Sequence, residues 1–372
     1  MKITLKRTPE QIELVKAMAS RNRSVAYEAQ VALAEFIGPV LAEVVNNAPT
    51  ISNLFTTLQF NADDNPSIPL DLYYDINDED YVKVYSQSHA GGLPTNQVLP
   101  TMSELKIATY SLDSAVSFDR RYAAKSRLDV VSKTFTRVAQ EILAKQETTS
   151  ASLVMGSLAD AVTSSTDHLR VSSQTGGRFL LDDMNKMMTL SKRINTSFLG
   201  GTPAAGQSRG ITDLIVSPEI VEELRAMAYN PINTYATAST GNDIAAPDEL
   251  RMSVYNSAGL PEFYGISIME ILELGVGKKF TNVFQSAAAA GSTTAQTWQN
   301  ANDDLVVGLD RSRESLVRAV AVDSETGGEF TLMADDQYSI RQNKIGYFGS
   351  LEEGRMVLDD RALVGTIINY NA

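Results

Sequence analysis

The sequence predicts an α+β protein, and three observations predict it. A helical pattern of apolar residues fills positions 8–47, and the period then falls to two through residue 118. A long helical stripe follows over residues 119–162, and strand patterns return over residues 303–372. Runs of helix and runs of strand, without regular alternation, are the mark of that class.

The chain has 372 residues, above the ~250–300 at which single cores stop growing, so two cores or one core with long projections are expected. Hydrophobic residues make up 43% and charged residues 21%, a composition that folds. Cysteine is absent, which removes disulfides, thiolate metal sites and cysteine nucleophiles together. The balance of 32 basic against 45 acidic residues gives a net charge of −13, which repels polyphosphate unless it is segregated. The first residues, MKITLKRTPEQIELVK, carry charges throughout and lack the apolar core of a signal peptide. With no run of ~18 apolar residues, a soluble product made in the cytoplasm is expected.

Residues 1–49 read as a helical arm. Thr8 fits an N-cap, Pro9 the first helical position, and Gln11 completes a capping box. Polar SRNRS breaks the pattern, after which Ala29, Ala32, Leu33, Phe36, Ile37, Val40, Leu41 and Val44 define one face. Gly38-Pro39 within that run predicts a kink, because proline removes a backbone donor.

Residues 50–118 read as strands. TISNLFTTLQF, IPLDLYY and YVKVYSQS alternate in twos, and ELKIATYSLDSAVSF resumes the alternation after SQSHAGGLPTNQ, residues 86–97. The latter is the polar, glycine-rich tip of an extended hairpin too polar on both faces to bury itself, hence suited to another chain. Residues 119–165 read as one helix with Leu128, Val131, Phe135, Val138 and Ile142 as its stripe. Such a helix is on the order of 60 Å long and serves as a spine.

Residues 166–302 read as an α/β unit. LLDDMNKMMTLSKRI is a helix containing Met184, Met187, Met188 and Ile194, and ITDLIVSPEIVEELRAMA is strand, turn and helix with Ser217 as N-cap and Pro218 behind it. YGISIMEILEL is a further strand, while YNPINTYATASTGNDIAAPDE and low-complexity QSAAAAGSTTAQTWQN read as exposed loops. Residues 303–372 offer six short strands: DDLVVGLD, SLVRAVAV, GEFTLMA, YSIRQNKIGYFGS, GRMVLDD and ALVGTIIN. They are expected to pair with the early strands and close one sheet from both ends of the chain.

Little in the sequence reads as catalysis. GTPAAGQS, residues 201–208, departs from a phosphate loop at Gln207, where the lysine belongs, and a strand follows it instead of a helix. DINDED, residues 75–80, fails the calcium-loop pattern, since positions six and twelve counted from Asp75 hold Asp80 and Ser86; it reads as a solvated turn. His89 in the tip and His168 in STDHLR stand apart, and no G-x-S-x-G occurs. No catalytic, cofactor-binding or metal residue is assigned, no cofactor is expected, and an enzyme is not. RRYAAKSR, residues 120–127, with Lys133, Arg137 and Lys145, concentrates positive charge. It is a helix face balanced by nearby acids, or a stripe that faces an acidic neighbour or nucleic acid.

The order of these elements resembles the tailed-bacteriophage major capsid proteins of the Johnson-fold. The hairpin with its GGLPTNQ tip, ATYSLDSAVSFDRRYAAKSRLDVV, LIVSPEIVEELRAM and IRQNKIGYFGSLEEGRMVLDDRALVG are similar to stretches of such proteins, over most of the chain from about residue 25. The resemblance implies an N-terminal arm (1–49), P-domain strands and an E-loop hairpin (50–118), a P-domain spine helix (119–165), an A-domain (166–302) and returning P-domain strands (303–372). It implies self-assembly into hexamers and pentamers of an icosahedral shell around double-stranded DNA, in the virion, with a separate scaffolding protein, a portal and decoration proteins as partners and no membrane. The alternatives are an encapsulin-like compartment, which shares the layout and encloses a cargo enzyme, and, ranked below it, a carboxylate-dependent enzyme, for which 45 acidic residues offer many pairs and none that stands out. Some members join a hairpin lysine to a neighbour's asparagine; the tip here has none, and Lys83 sits back along the strand, so that chemistry is not expected.

Overall fold

The computed structural model describes residues 8–46, 48, 50–61, 64–69, 104–164, 169–171, 178–199, 210–227, 262–263, 265–291, 303–322, 329–335 and 342–369. The chain divides into two units, each assembled from separated stretches of sequence. The first takes residues 1–68, 105–150 and 317–356, and the second takes the rest.

The first unit opens with α1 (Pro9–Met18), capped as expected: the Thr8 hydroxyl accepts the Gln11 amide at 3.4 Å. Only half of the capping box forms, because Gln11 Oε1 has no partner. Asn22 accepts the Ser24 amide at 3.3 Å and begins α2 (Arg23–Asn46), which holds Pro39 in its interior. After a short 3-10 turn at Ile51–Leu54 comes β1 (Thr56–Asn61), parallel to β10 (Leu316–Val322) with Thr56 opposite Val317. β2 (Ser67–Pro69) pairs with β3 (Glu104–Lys106) at the two ends of the segment that carries residues 70–103. The tip at 86–97, with His89, and DINDED at 75–80 lie outside the described residues.

β4 (Thr109–Asp119) alternates as its sequence demands: Ser111, Asp113 and Ala115 are exposed, while Leu112, Val116 and Phe118 turn inward. It pairs antiparallel with β12 (Lys344–Val357), Phe118 opposite Ile345. β12 also pairs with β11 (Thr331–Asp335), and the sheet runs β1-β10-β12-β11 with β4 added to β12. The early and late parts of the chain therefore meet in one sheet, as the periodicity implied.

Two expectations need correction here. The spine is not one helix from residue 119: α3 (Arg120–Ala124) ends before α4 (Leu128–Ser164) begins. The Ser126 amide bonds to Ala123 O and the Arg127 amide to Tyr122 O, with Ser126 in the left-handed region at φ 51°. This is a Schellman stop built without its usual glycine, so the sequence gives no warning of it. Second, IGYFGS and GRMVLDD are not separate strands but the single β12. The intervening residues 351–353 continue the strand, and Leu351, Glu353 and, beyond them, Arg355 all keep to the inward face and are buried.

One face of this sheet is covered by α1, α2 and the first half of α4. The spine stripe is as expected: Leu128, Val131, Phe135, Val138 and Ile142 are all buried in the shared core with Val15, Leu33, Ile37 and Leu41. At its centre lies Tyr347, fully buried, stacked on Phe118 at 6.3 Å and edge-on to Phe135 at 5.2 Å, its hydroxyl reaching Met18 Sδ at 3.2 Å. Gly349 on β12 is required by packing: a Cβ there would stand 2.5 Å from the Phe330 ring.

The second unit is built on a six-stranded sheet in the order β5-β13-β9-β6-β8-β7. Its strands are β5 (Leu169–Val171), β6 (Asp213–Val216), β7 (Glu262–Phe263), β8 (Ile266–Glu270), β9 (Asp303–Leu309) and β13 (Leu363–Asn369). DDLVVGLD and ALVGTIIN thus belong here, not to the first sheet. Every residue of β9 is buried, which fits a central strand covered on both faces. Besides the end of α4 from Ala151 on, its helices among the described residues are α5 (Leu181–Leu199), α6 (Pro218–Met227) and α7 (Lys279–Gly291). Met184 and Met187 of α5 pack with Ile220 and Leu224 of α6 on Leu214, Val216 and Val306. QSAAAAG, expected as loop, forms the last two turns of α7, because alanine is the best helix former and Phe280 and Phe284 already anchor the helix. His168, residues 201–208 and the loop at 229–249 lie outside the described residues.

Candidate assembly surface and the polar cluster of the first unit

The helix α2 carries two apolar stripes. One, Ala26, Ala29, Leu33, Ile37, Leu41 and Val45, is buried in the first unit's core. The other stands in solvent: Phe36 is 54% exposed and Val40 39%, with Ala32 exposed as well, although their period puts these three on the buried face, and Val25, outside that expectation, is 41% exposed. Residues 32, 36 and 40 are four apart, so they form a ridge along one side of the helix. The Gly38 Cα approaches Leu332 of β11, where an added Cβ would still have ordinary contact at 3.8 Å. The ridge is therefore the flank of a helix already seated on its sheet.

The strand β1 is also exposed. Among the described residues it stands at the sheet edge, and Thr56, Thr57, Leu58 and Gln59 are exposed on both of its faces. TTLQFN contains no charge and no proline, the two usual protections of an open edge. A groove of about 570 Å³ runs beside it, lined by Ser52, Phe55, Leu58, Arg318 and Glu329 among others. Gln59 donates to Glu329 at 3.1 Å across part of that lining.

Arg318 leads into a buried polar cluster. Glu353 on β12 is fully buried, and its Oε2 accepts from Arg318 Nε, from an Arg355 guanidinium nitrogen and from Gln146 Nε2, each at 3.0 Å. Its Oε1 accepts the Tyr110 hydroxyl at 2.9 Å. Arg355 donates further to Ser52 Oγ at 2.8 Å, to Gln146 O at 2.6 Å and to the Ser150 hydroxyl. Its guanidinium carbon sits 5.8 Å from the Phe55 ring centroid. Burial, and then the Glu353 carboxylate, push the Tyr110 hydroxyl up to about 12, so it serves as a neutral donor. Gln146 and Ser150 continue the spine stripe of α4 beyond Ile142, where the helix exchanges apolar contact for these bonds. The cluster ties β4, β10, β12, α4 and the Ile51–Leu54 turn together, and Ser52 and Arg318 also line the groove beside β1.

Sequence reasoning missed this cluster. The available signal was the strand period: Glu353 and Arg355 share the parity of Ile345, Tyr347 and Leu351, the inward-facing residues. The positive run has a different outcome: Arg121, Lys125, Arg127, Lys133, Arg137 and Lys145 are exposed, whereas Arg120 turns to donate to Ala19 O at 3.3 Å. Among the described residues no group of three or more His, Asp or Glu is placed to hold a metal ion, and no helix is long and apolar enough to cross a membrane.

No family model matches this chain, and neither does any curated protein. Solved structures do. The chain is similar to the virus-like particle from Pyrococcus furiosus at 13% identity, over 90% of this chain and 100% of that one, with a TM-score of 0.42. It is similar to a structure from Microbacterium phage Oxtober96 at 11% identity, over 86% and 90%, with a TM-score of 0.47. It is also similar to the holo-SrpI encapsulin complex from Synechococcus elongatus PCC 7942 at 12% identity, over 88% and 90%, with a TM-score of 0.43. The chain's own helices and sheets make it α+β, as expected, and nothing of what those proteins enclose carries over to this one.

Proposed function

We propose that this protein is a structural shell subunit, not an enzyme. In this reading it self-assembles into hexamers and pentamers of an icosahedral capsid that encloses the packaged double-stranded DNA of a tailed bacteriophage. It is made in the host bacterial cytoplasm and ends in the virion, with a separate scaffolding protein, a portal and decoration proteins as partners. The observation that carries the reading is the second stripe of α2, an apolar ridge of Val25, Ala32, Phe36 and Val40 that the unit does not cover. Exposed apolar patches of this kind mark interaction surfaces, and obligate contacts between subunits bury more than ~2,000 Å². The edge of β1, unpaired among the described residues, offers hydrogen bonds to a second chain in addition. The net charge of −13 suits an inner wall that does not hold on to DNA.

Electron microscopy of the purified chain tests this: closed shells or sheets of hexamers are expected, and a monomer at every concentration overturns it. Phe36→Asp should abolish the shells while moving stability by no more than about 0.5 kcal/mol, the range of exposed substitutions. Shells isolated from their source should hold DNA; shells that hold a protein and no DNA would make this a cargo compartment instead.

A further inference from the structure

Asp304 is a fully buried carboxylate in the middle of the second unit's sheet, on β9 between β13 and β6. Its Oδ2 accepts the hydroxyl of Ser217, and its Oδ1 accepts the Leu305 amide at 2.7 Å. Ser217 is at the same time the N-cap of α6, its oxygen accepting the Ile220 amide at 3.3 Å. One hydroxyl thus ties the first turn of α6 to the central strand.

The charged groups around this tie have the wrong sign to hold an anion. Glu219, in the first turn of α6, acts directly on Asp304, and Glu223, one turn on, is coupled to it as well. Glu223 accepts the Phe179 amide at 2.5 Å and faces Arg178 from the stretch before α5. From β13 the residue opposite Asp304 is Ile368, which carries no charge. The turn at Gly275 brings its backbone beside Ser217 and Glu219, with the stem of Lys278 next to it. None of the groups acting on Asp304 among the described residues is a cation. The two hydrogen bonds favour the carboxylate, but burial outweighs them and Glu219 adds to it, raising Asp304 to about 6.

We propose that the Ser217–Asp304 contact is a proton-sensitive joint, which locks α6 onto the sheet of the second unit when Asp304 takes up a proton. The neutral acid keeps its place against Ser217 without desolvated charge and without repulsion from Glu219 and Glu223. The direction follows from linkage. The closed joint binds a proton more tightly than the open one, where Asp304 is solvated and titrates near ~3.9. The joint therefore gains stability as pH falls through about 6 toward the unfolded value, and lacks that gain above it. The inference is independent of what the protein assembles into.

Hydrogen exchange on the full chain tests it, read at the Ile220 and Val221 amides and corrected for the intrinsic rate. Protection should rise about 30-fold from about pH 7.5 to about pH 4.5, the change that linkage gives for this pair of titration points. Val131, in the core of the first unit, should show no such rise. Asp304→Asn should be protected at both pH values, with a flat profile. Glu219→Gln should move the midpoint down and keep the rise. A flat profile in the unsubstituted protein overturns the joint, and so does a rise that persists in Asp304→Asn. If that variant does not fold, the unsubstituted profile decides alone.

Discussion

Glu353 in the first unit and Asp304 in the second are both fully buried carboxylates on sheet strands, and they are held in opposite ways. Glu353 takes four hydrogen bonds, two of them from the guanidinium groups of Arg318 and Arg355. Asp304 takes one from a hydroxyl and one from an amide, and its charged neighbours are acids. Burial is the same for the two; compensation is not. In a low-dielectric interior that lack of compensation draws Asp304 toward the neutral acid.

The sharpest way to break the contrast is to neutralise each carboxylate in turn. Glu353→Gln leaves two arginines facing each other in the core of the first unit and should destabilise it by about 3–5 kcal/mol, as breaking a buried ion pair does. Asp304→Asn removes an uncompensated charge and should stabilise the second unit by about 3 kcal/mol near pH 7.5, the gain falling to about 1 kcal/mol near pH 4.5, where Asp304 is neutral in the folded chain but still mostly ionised in the unfolded one. Urea unfolding of both variants at the two pH values measures this. Equal and like-signed effects would mean that the two sites are compensated alike.

The units also differ in how openly the sequence declares them. Repeating patterns were legible: the stripe from Leu128 to Ile142, the alternation of β4, and the Thr8-Pro9 and Ser217-Pro218 caps all follow from local chemistry that the sequence displays. What was not legible depends on partners distant in the chain. Glu353 lies between two strands read as separate and Arg355 within the second, and only Arg318, Gln146 and Ser52, from three other stretches, satisfy their charges in one continuous strand. Phe36 and Val40 look like core because period alone cannot distinguish a stripe that meets its own sheet from one beside it that does not. DDLVVGLD and ALVGTIIN were read correctly as strands, but a strand does not declare its sheet. Asp304 was one acid among 45 until the fold placed it under Ser217.

Two serines repeat the contrast on a smaller scale. Ser217 uses its oxygen fully, as donor to Asp304 and acceptor from Ile220, and it belongs at the start of its helix. Ser126 stands at the end of α3 with φ 51°, and its buried hydroxyl has no partner. It fills the one position of a Schellman stop where a Cβ is a burden and where glycine is the usual residue. Replacing it, Ser126→Gly, removes the left-handed penalty of ~1 kcal/mol but gives the unfolded chain more freedom, so a net gain of about 0.5 kcal/mol is expected. That corresponds to a rise of about 1–2 °C in the melting of the first unit. A fall instead would show that the Ser126 side chain holds the break between α3 and α4, and that the two serines are alike in function after all.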